Sequence, residues 1–128
     1  MSYLLDTHAF LWFINDDKLL SAGAKTLIET TDETIYLSIA SLWEMAIKIS
    51  LGRLNMPLPF AAFISDQLHN NYITVLNISI EHLDLLTTLP FHHRDPFDRL
   101  LIAQSLSETL PIICDDTVFD KYGVQRYW

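Results

Sequence analysis

The stretch "PFHHRDPFDRLLIAQSL", residues 90–106, decides the fold. Its apolar residues cover nearly every face of a helix, which predicts a helix buried among other elements. Pro96 fits the first helical position, and Asp95 then becomes the N-cap. Asp98 falls at the third helical position, on the same side as Leu101, where a carboxylate must find donors or a cation. The sequence therefore asks which groups accompany Asp98.

Outward from this helix, strand-like and helical segments alternate along the whole chain. Strands are predicted at residues 3–5, 34–38, 72–78, 111–114 and 124–128, and helical segments at 8–15, 21–31, 39–54, 60–70, 79–89 and 115–123. This alternation predicts an α/β fold, a three-layer α/β/α sandwich with a mainly parallel central sheet. A length of 128 residues, without repeats or linkers, predicts a single domain over 1–128.

Composition narrows the class of protein. Half of the residues are apolar, which excludes a disordered chain, and no uncharged run is long enough to span a bilayer. The N-terminus lacks the basic region of a signal peptide, and the lone Cys114 excludes an internal disulfide. We therefore expect a cytoplasmic protein that does not enter membranes. The net charge of −8 disfavours nucleic acid unless cations, local basic residues or a partner help.

Four carboxylates stand where functional groups gather in such folds. Asp6 ends the first strand, Asp116 follows the fourth with Asp115 beside it, and Glu44 and Asp98 lie in early turns of helices. Strand-to-helix junctions of a parallel sheet share one edge, so these side chains are predicted to converge.

Each acid also has a simpler interpretation. Asp6 could cap the helix that follows it, as could Asp115 or Asp116 theirs, and Asp98 could serve only the helix dipole. Glu44 could form a capping box with Ser41 or an ion pair with Lys48. Side chains that only cap helices need not point into one volume. Convergence of the four carboxylates would therefore favour a shared functional site over separate structural roles.

Converging carboxylates require a counter-charge. Oxygen-only ligand sets suit Mg²⁺ or Mn²⁺, and such ions activate water and stabilise the transition state of phosphodiester hydrolysis. They would also let a protein of charge −8 bind a polyanion.

The order of these acids resembles that of PIN-domain nucleases, in particular toxins of the VapC type from bacterial type II toxin–antitoxin modules. The third of four similar motifs is the most specific, and the resemblance extends from residue 4 to about 122. The motifs are "LLDTH" (4–8), "SLWEMAIKISLGRL" (41–54), "HHRDPFDRLLIAQSL" (92–106) and "IICDDTVFDKY" (112–122).

The resemblance implies a PIN-like fold and an Mg²⁺- or Mn²⁺-dependent endoribonuclease. It makes Asp6, Glu44, Asp98 and Asp116 the catalytic, metal-binding acids. The family usually has Thr or Ser two residues before the fourth acid, whereas this chain has Cys114, a weaker hydrogen-bonding group. Asp115, which lies beside the fourth acid, could compete with Asp116 for the metal.

Neighbouring residues supply candidates for substrate binding. His8 could touch the substrate, and Arg94 and Arg99 could hold phosphates, although packing, solvation and ion pairing are the simpler roles. His92 and His93 do not make a zinc site on sequence grounds, because adjacent histidines rarely point the same way and no third nitrogen or sulfur ligand is near.

The resemblance also implies partners: an RNA substrate, a cognate antitoxin, a second copy in a homodimer, and DNA only indirectly through the antitoxin. Three alternatives remain open. The chain could be a housekeeping RNA-processing nuclease, a signalling domain with an acidic pocket, or a non-catalytic binding module with capped helices. A phospho-acceptor signalling domain would want a Lys after a late strand, where "PIICDD" offers acids.

Overall fold

A computed structural model describes all residues, 1–128, and its centre is a five-stranded sheet. All strand pairs are parallel and the spatial order is β3-β2-β1-β4-β5, so the predicted parallel sheet is confirmed. The strands are β1 (Tyr3–Leu5), β2 (Ile35–Ser38), β3 (Ile73–Leu76), β4 (Ile112–Ile113) and β5 (Arg126–Tyr127).

Six α-helices and one 3₁₀ helix connect the strands. They are α1 (Thr7–Ile14), α2 (Ala22–Thr30), α3 (Ile39–Ser50), α4 (Phe60–Asn70), α5 (Ile80–Thr87), α6 (Pro96–Glu108) and the 3₁₀ helix Thr117–Tyr122. Every predicted element is present. Asp95 is the N-cap of α6 with Pro96 in its first turn, as the sequence predicts. Gly52 lies just beyond α3 in the left-handed region (φ 71°), which explains why α3 ends there.

Two hydrophobic clusters lie on opposite faces of the sheet, because side chains alternate along each strand. Leu5 and Ile113 join the cluster formed with α1 to α4, whereas Leu4 and Ile112 join the cluster formed with α5, α6 and the 3₁₀ helix. The protein is thus the three-layer sandwich that the sequence predicts. None of its helices combines the length and apolar character needed to cross a bilayer.

Helix α6 is central to the second cluster. Every residue from Arg99 to Ser105 is buried, so all faces of the helix are covered. Phe97, in its first turn, packs edge-on against Trp43 of α3, with ring centroids 5.3 Å apart. This contact brings the start of α6 beside α3, at the carboxyl edge of the sheet.

Candidate active site

Asp6 occupies the junction between β1 and α1. Its backbone N–H donates to the Ile113 carbonyl (3.1 Å), which fixes it beside the end of β4. Its buried carboxylate accepts a hydrogen bond from the His8 N–H (3.2 Å) and is the N-cap of α1. The capping interpretation is therefore correct, and it does not exclude a second role, because the same carboxylate lines a cavity.

Glu44 is buried on α3 and pairs with Lys48, with 3.0 Å between Oε2 and Nζ, so the predicted ion pair is confirmed. The alternative capping box with Ser41 is wrong. Ser38 is the N-cap, because β2 ends there and its Oγ accepts the Ala40 N–H. The Ser41 Oγ instead accepts a hydrogen bond from the Thr7 hydroxyl (2.7 Å), which ties α3 to the start of α1.

Asp98 does not cap α6, because the preceding Asp95 performs that role. One carboxylate oxygen of Asp95 accepts the N–H groups of Phe97 (2.8 Å) and Asp98 (3.1 Å). The Asp98 carboxylate receives no hydrogen bond within the chain, although the side chain is partly buried. It is therefore available to a ligand.

Asp116 and His93 complete the cluster. Asp116 caps the 3₁₀ helix by accepting the Val118 N–H (3.0 Å), and its second oxygen lies 2.8 Å from Nε2 of His93. One ligand atom each from His93, Asp98 and Asp116 lie within 4.8 Å of one another. Three groups at this spacing could hold one cation.

His93 is the site residue that sequence reasoning missed. The adjacent histidines differ as expected, since only His93 belongs to the cluster while the His92 ring packs edge-on against Tyr122. His93 was overlooked because only nitrogen and sulfur partners near in sequence were considered, whereas its partner Asp116 is a carboxylate 23 residues away. The only available signal was the "HH" pair at the start of the third motif.

The carboxylates differ in their charge states. Burial, followed by the charges of Asp95 and Asp6, raises the pKa of Asp98 to about 7. Burial also raises the pKa of Asp6 to about 6, with Glu44 adding to the shift. Burial alone would raise the pKa of Asp116 as well, but hydrogen bonds from His93 and Val118 outweigh it and leave the pKa below its usual value. Burial and the neighbouring carboxylates thus disfavour the charged forms of Asp98 and Asp6, and His93 and His8 offset this effect only in part.

A cavity of about 310 Å³ opens over these groups. It is lined by Asp6, His8, Trp12, Asp98, Asp115, Asp116 and Phe119. Four carboxylates line it and no lysine or arginine does, so His8 is the only basic side chain in its wall. The exposed His8 and the ring of Trp12, 5.8 Å away, form an aromatic side of the opening.

The remaining predicted residues have different environments. Asp115 lines the cavity but is exposed and lies outside the cluster that contains Asp116. Arg94 is exposed and makes no hydrogen bond with its side chain. Arg99 is buried, and its guanidinium donates to the carbonyls of Leu89 (3.1 Å) and Pro90 (2.8 Å). Backbone groups thus occupy the Arg99 donors, which a phosphate would need.

The donor chemistry fits a hard divalent cation. Asp6, Asp98 and Asp116 offer carboxylate oxygens around one cavity, and Glu44 is close enough to raise the pKa of both Asp6 and Asp98. Oxygen-rich sites of this kind suit Mg²⁺ and Mn²⁺. The positive charge of such an ion would offset the repulsion among these carboxylates.

Known proteins share both the sequence pattern and the fold. Residues 3–125 match the family described as PIN domain. A chain of VapBC2 from Rickettsia felis, solved bound to a DNA fragment from their promoter, superposes with a TM-score of 0.74 at 14% identity, covering 99% of this chain and 98% of that one. FitAcB from Neisseria gonorrhoeae gives 0.66 at 15%, covering 100% and 97%. Among curated proteins, none matches by sequence.

Proposed function

The chain belongs to the PIN domain family, and from that premise we propose that it is a metal-dependent endoribonuclease, the toxin of a type II toxin–antitoxin module. It hydrolyses RNA phosphodiester bonds with Mg²⁺ or Mn²⁺ held by carboxylates and with an activated water. The observation that carries this proposal is the cavity walled by Asp6, Asp98, Asp115 and Asp116 without any lysine or arginine. Such a cavity binds a phosphodiester only when cations come with it.

The proposed metal ligands are Asp6, Glu44, Asp98 and Asp116. The bound ion supplies a more acidic water and neutralises charge on the phosphate. The chain's own contribution is to hold the carboxylates in position before the ion arrives. Asp6 is held by the His8 N–H and Asp116 by the Val118 N–H.

Two cavity residues are proposed to contact RNA. His8 and Trp12 line the cavity beside Asp6, and an indole face stacks on an unpaired base whatever its sequence. Arg94 is the proposed phosphate contact, because it is exposed and lies four residues before Asp98. Arg99 is not included, since its guanidinium is bonded to backbone carbonyls.

The toxin assignment is supported by the relatives. VapBC and FitAB are toxin–antitoxin complexes, and chains from both share this fold over nearly their whole length. We propose a cognate antitoxin as protein partner and a homodimer as the assembled toxin. With a net charge of −8, the chain would reach DNA only through the antitoxin.

Cleavage of a labelled RNA with added Mn²⁺ or Mg²⁺, and with EDTA as the metal-free control, tests the nuclease. Asp98→Asn should lower the cleavage rate by a factor on the order of 10³ or more. Asp84→Asn, the same change at an exposed position of α5, should leave it unaltered. If Asp98→Asn cleaves as fast as the parent, the acids do not form the active site and the binding-module alternative gains.

A second experiment separates a toxin from a housekeeping nuclease, which would use the same chemistry. Induced expression of a toxin should arrest bacterial growth, and the Asp98→Asn variant should not. Co-expression of the short neighbouring gene should relieve the arrest. An active nuclease whose expression leaves growth unchanged would instead indicate RNA processing.

A further inference from the structure

The loop between α5 and α6 is anchored on one hydroxyl group. The backbone N–H groups of His92 and His93 both donate to the Tyr122 hydroxyl oxygen, at 2.9 and 2.7 Å. A hydroxyl has two lone pairs and one hydrogen, so these two bonds use its whole capacity to accept. Only the hydroxyl hydrogen of Tyr122 remains to be used.

That hydrogen determines the tautomer of His93. Nδ1 of His93 lies 3.3 Å from the Tyr122 hydroxyl oxygen, and it is the ring's acceptor because the hydroxyl can now only donate. A neutral imidazole that accepts at Nδ1 carries its hydrogen on Nε2. Nε2 lies 2.8 Å from the Asp116 carboxylate and therefore donates to it. Tyr122 stacks on the ring, and Phe119 packs edge-on against it.

Both carboxylate oxygens of Asp116 are oriented by this arrangement. Oδ1 accepts the Val118 N–H and Oδ2 accepts from His93, which leaves each oxygen a lone pair for a cation. The Cys114 thiol does not take part, because its sulfur accepts the backbone N–H of Asp116 (3.3 Å) instead of reaching the carboxylate. The side-chain support of the fourth acid thus comes from His93.

We propose that His93, fixed by Tyr122, is a positioning residue that aims Asp116 at the cation, and that its Nε2 is a hydrogen-bond donor and not a metal ligand. A ligand role would require the hydrogen on Nδ1. That hydrogen would be a third donor directed at a hydroxyl oxygen that already accepts two. This inference rests on the proposed metal-dependent function, whose ligand set it extends by a supporting layer.

Calorimetric titration of Mn²⁺ into the full chain tests the proposal, with circular dichroism as the fold control. His93→Ala should weaken Mn²⁺ binding about 10- to 100-fold, the range for residues that support metal ligands. His93→Gln, whose amide can donate to Asp116, should restore most of the affinity. His92→Gln is the matched control and should bind as the parent does. Tyr122→Phe should weaken binding, and should add no further loss to His93→Ala.

Pulsed electron paramagnetic resonance of the Mn²⁺-loaded protein distinguishes the two roles of His93. A positioning role predicts the same ¹⁴N coupling pattern in the parent and in His93→Gln. A nitrogen coupling that disappears in His93→Gln would make His93 a ligand and overturn the proposal. Unchanged Mn²⁺ affinity in His93→Ala and Tyr122→Phe would overturn it too, while leaving the nuclease proposal standing. A parent protein that binds no Mn²⁺ would overturn both.

Discussion

At the residue scale, Asp98 combines a fixed backbone position with a carboxylate that lacks hydrogen-bond donors. Its backbone is fixed by the cap that Asp95 provides, while its carboxylate receives no hydrogen bond. The importance of this residue was predictable, because an acid on the apolar side of a helix needs an explanation. The contact between His93 and Asp116 was not, because it joins a loop without periodicity to a residue far along the chain.

The raised pKa of Asp98 predicts how stability depends on pH without metal. The pKa is about 7 in the folded chain against an ordinary 3.8, so the folded state binds more protons across that window. The free energy of unfolding should therefore fall as the pH rises through this window. Asp98→Asn should remove the part of this decrease that comes from Asp98. In EDTA we expect the variant to melt a few degrees higher at pH 8, about 4 °C for each kcal/mol, and to gain nothing at pH 3. Equal melting temperatures at pH 8 would contradict this.

Two arginines in the same segment predict opposite effects. Arg99 is buried and bonded to two carbonyls, and its guanidinium lies 3.9 Å from the centre of the Phe91 ring. Arg99→Met should lower the free energy of unfolding by about 2 kcal/mol, because it removes charge-assisted hydrogen bonds. Arg94→Met, at an exposed position, should leave stability unchanged and weaken RNA binding. Urea denaturation and filter binding measure the two effects; the reverse pattern would exchange the proposed roles.

At the element scale, caps determine where the helices begin. The Pro96 and Asp95 pair predicted the start of α6 correctly, because these residues have strong positional preferences. The cap of α3 was predicted wrongly, since the spacing of Ser41 and Glu44 suggested a capping box. The sheet explains the difference: β2 ends at Ser38, and Ser41 bonds to Thr7 of another helix. Tertiary contacts of this kind do not leave a mark in the local sequence.

Substitution of Asp95 separates its capping role from its charge. Asp95→Ala should cost about 1 kcal/mol, because the N–H groups of Phe97 and Asp98 lose their acceptor. Asp95→Asn keeps an acceptor and should retain most of the stability. Both changes remove a charge that raises the pKa of Asp98. Thermal denaturation compares the two variants, and an equal loss in both would show that charge, not capping, is what matters.

At the scale of the whole molecule, the fold concentrates negative charge at one edge of the sheet. The alternation of strands and helices was sufficient to predict the sandwich and the edge at which the acids meet. It could not predict which acids share a cavity, because that depends on how α6 packs against α3 through Phe97 and Trp43. The carboxylates of the resulting site repel one another unless a bound cation offsets their charge.

Cation binding should therefore stabilise the entire domain. At an Mn²⁺ concentration 100 times the dissociation constant, linkage adds about 2.7 kcal/mol to the free energy of unfolding. We expect a rise in melting temperature that grows with Mn²⁺ concentration, and a much smaller rise in Asp98→Asn. Differential scanning fluorimetry with Mn²⁺, and with Asp84→Asn as control, measures this. A parent protein whose melting temperature ignores Mn²⁺ would contradict the prediction.

The lone cysteine, Cys114, allows local unfolding of the sheet to be followed by the reactivity of its thiol. Cys114 is buried beyond β4, and burial, with the nearby Asp6 charge, raises the pKa of its thiol, so almost no thiolate exists in the closed protein. A thiol-specific reagent can react only after this part of the sheet separates. The labelling rate therefore counts excursions from the native state, without any engineered probe. Cys114 lies two residues before Asp116. The rate of thiol labelling should therefore fall when a cation binds to the carboxylates of the cavity.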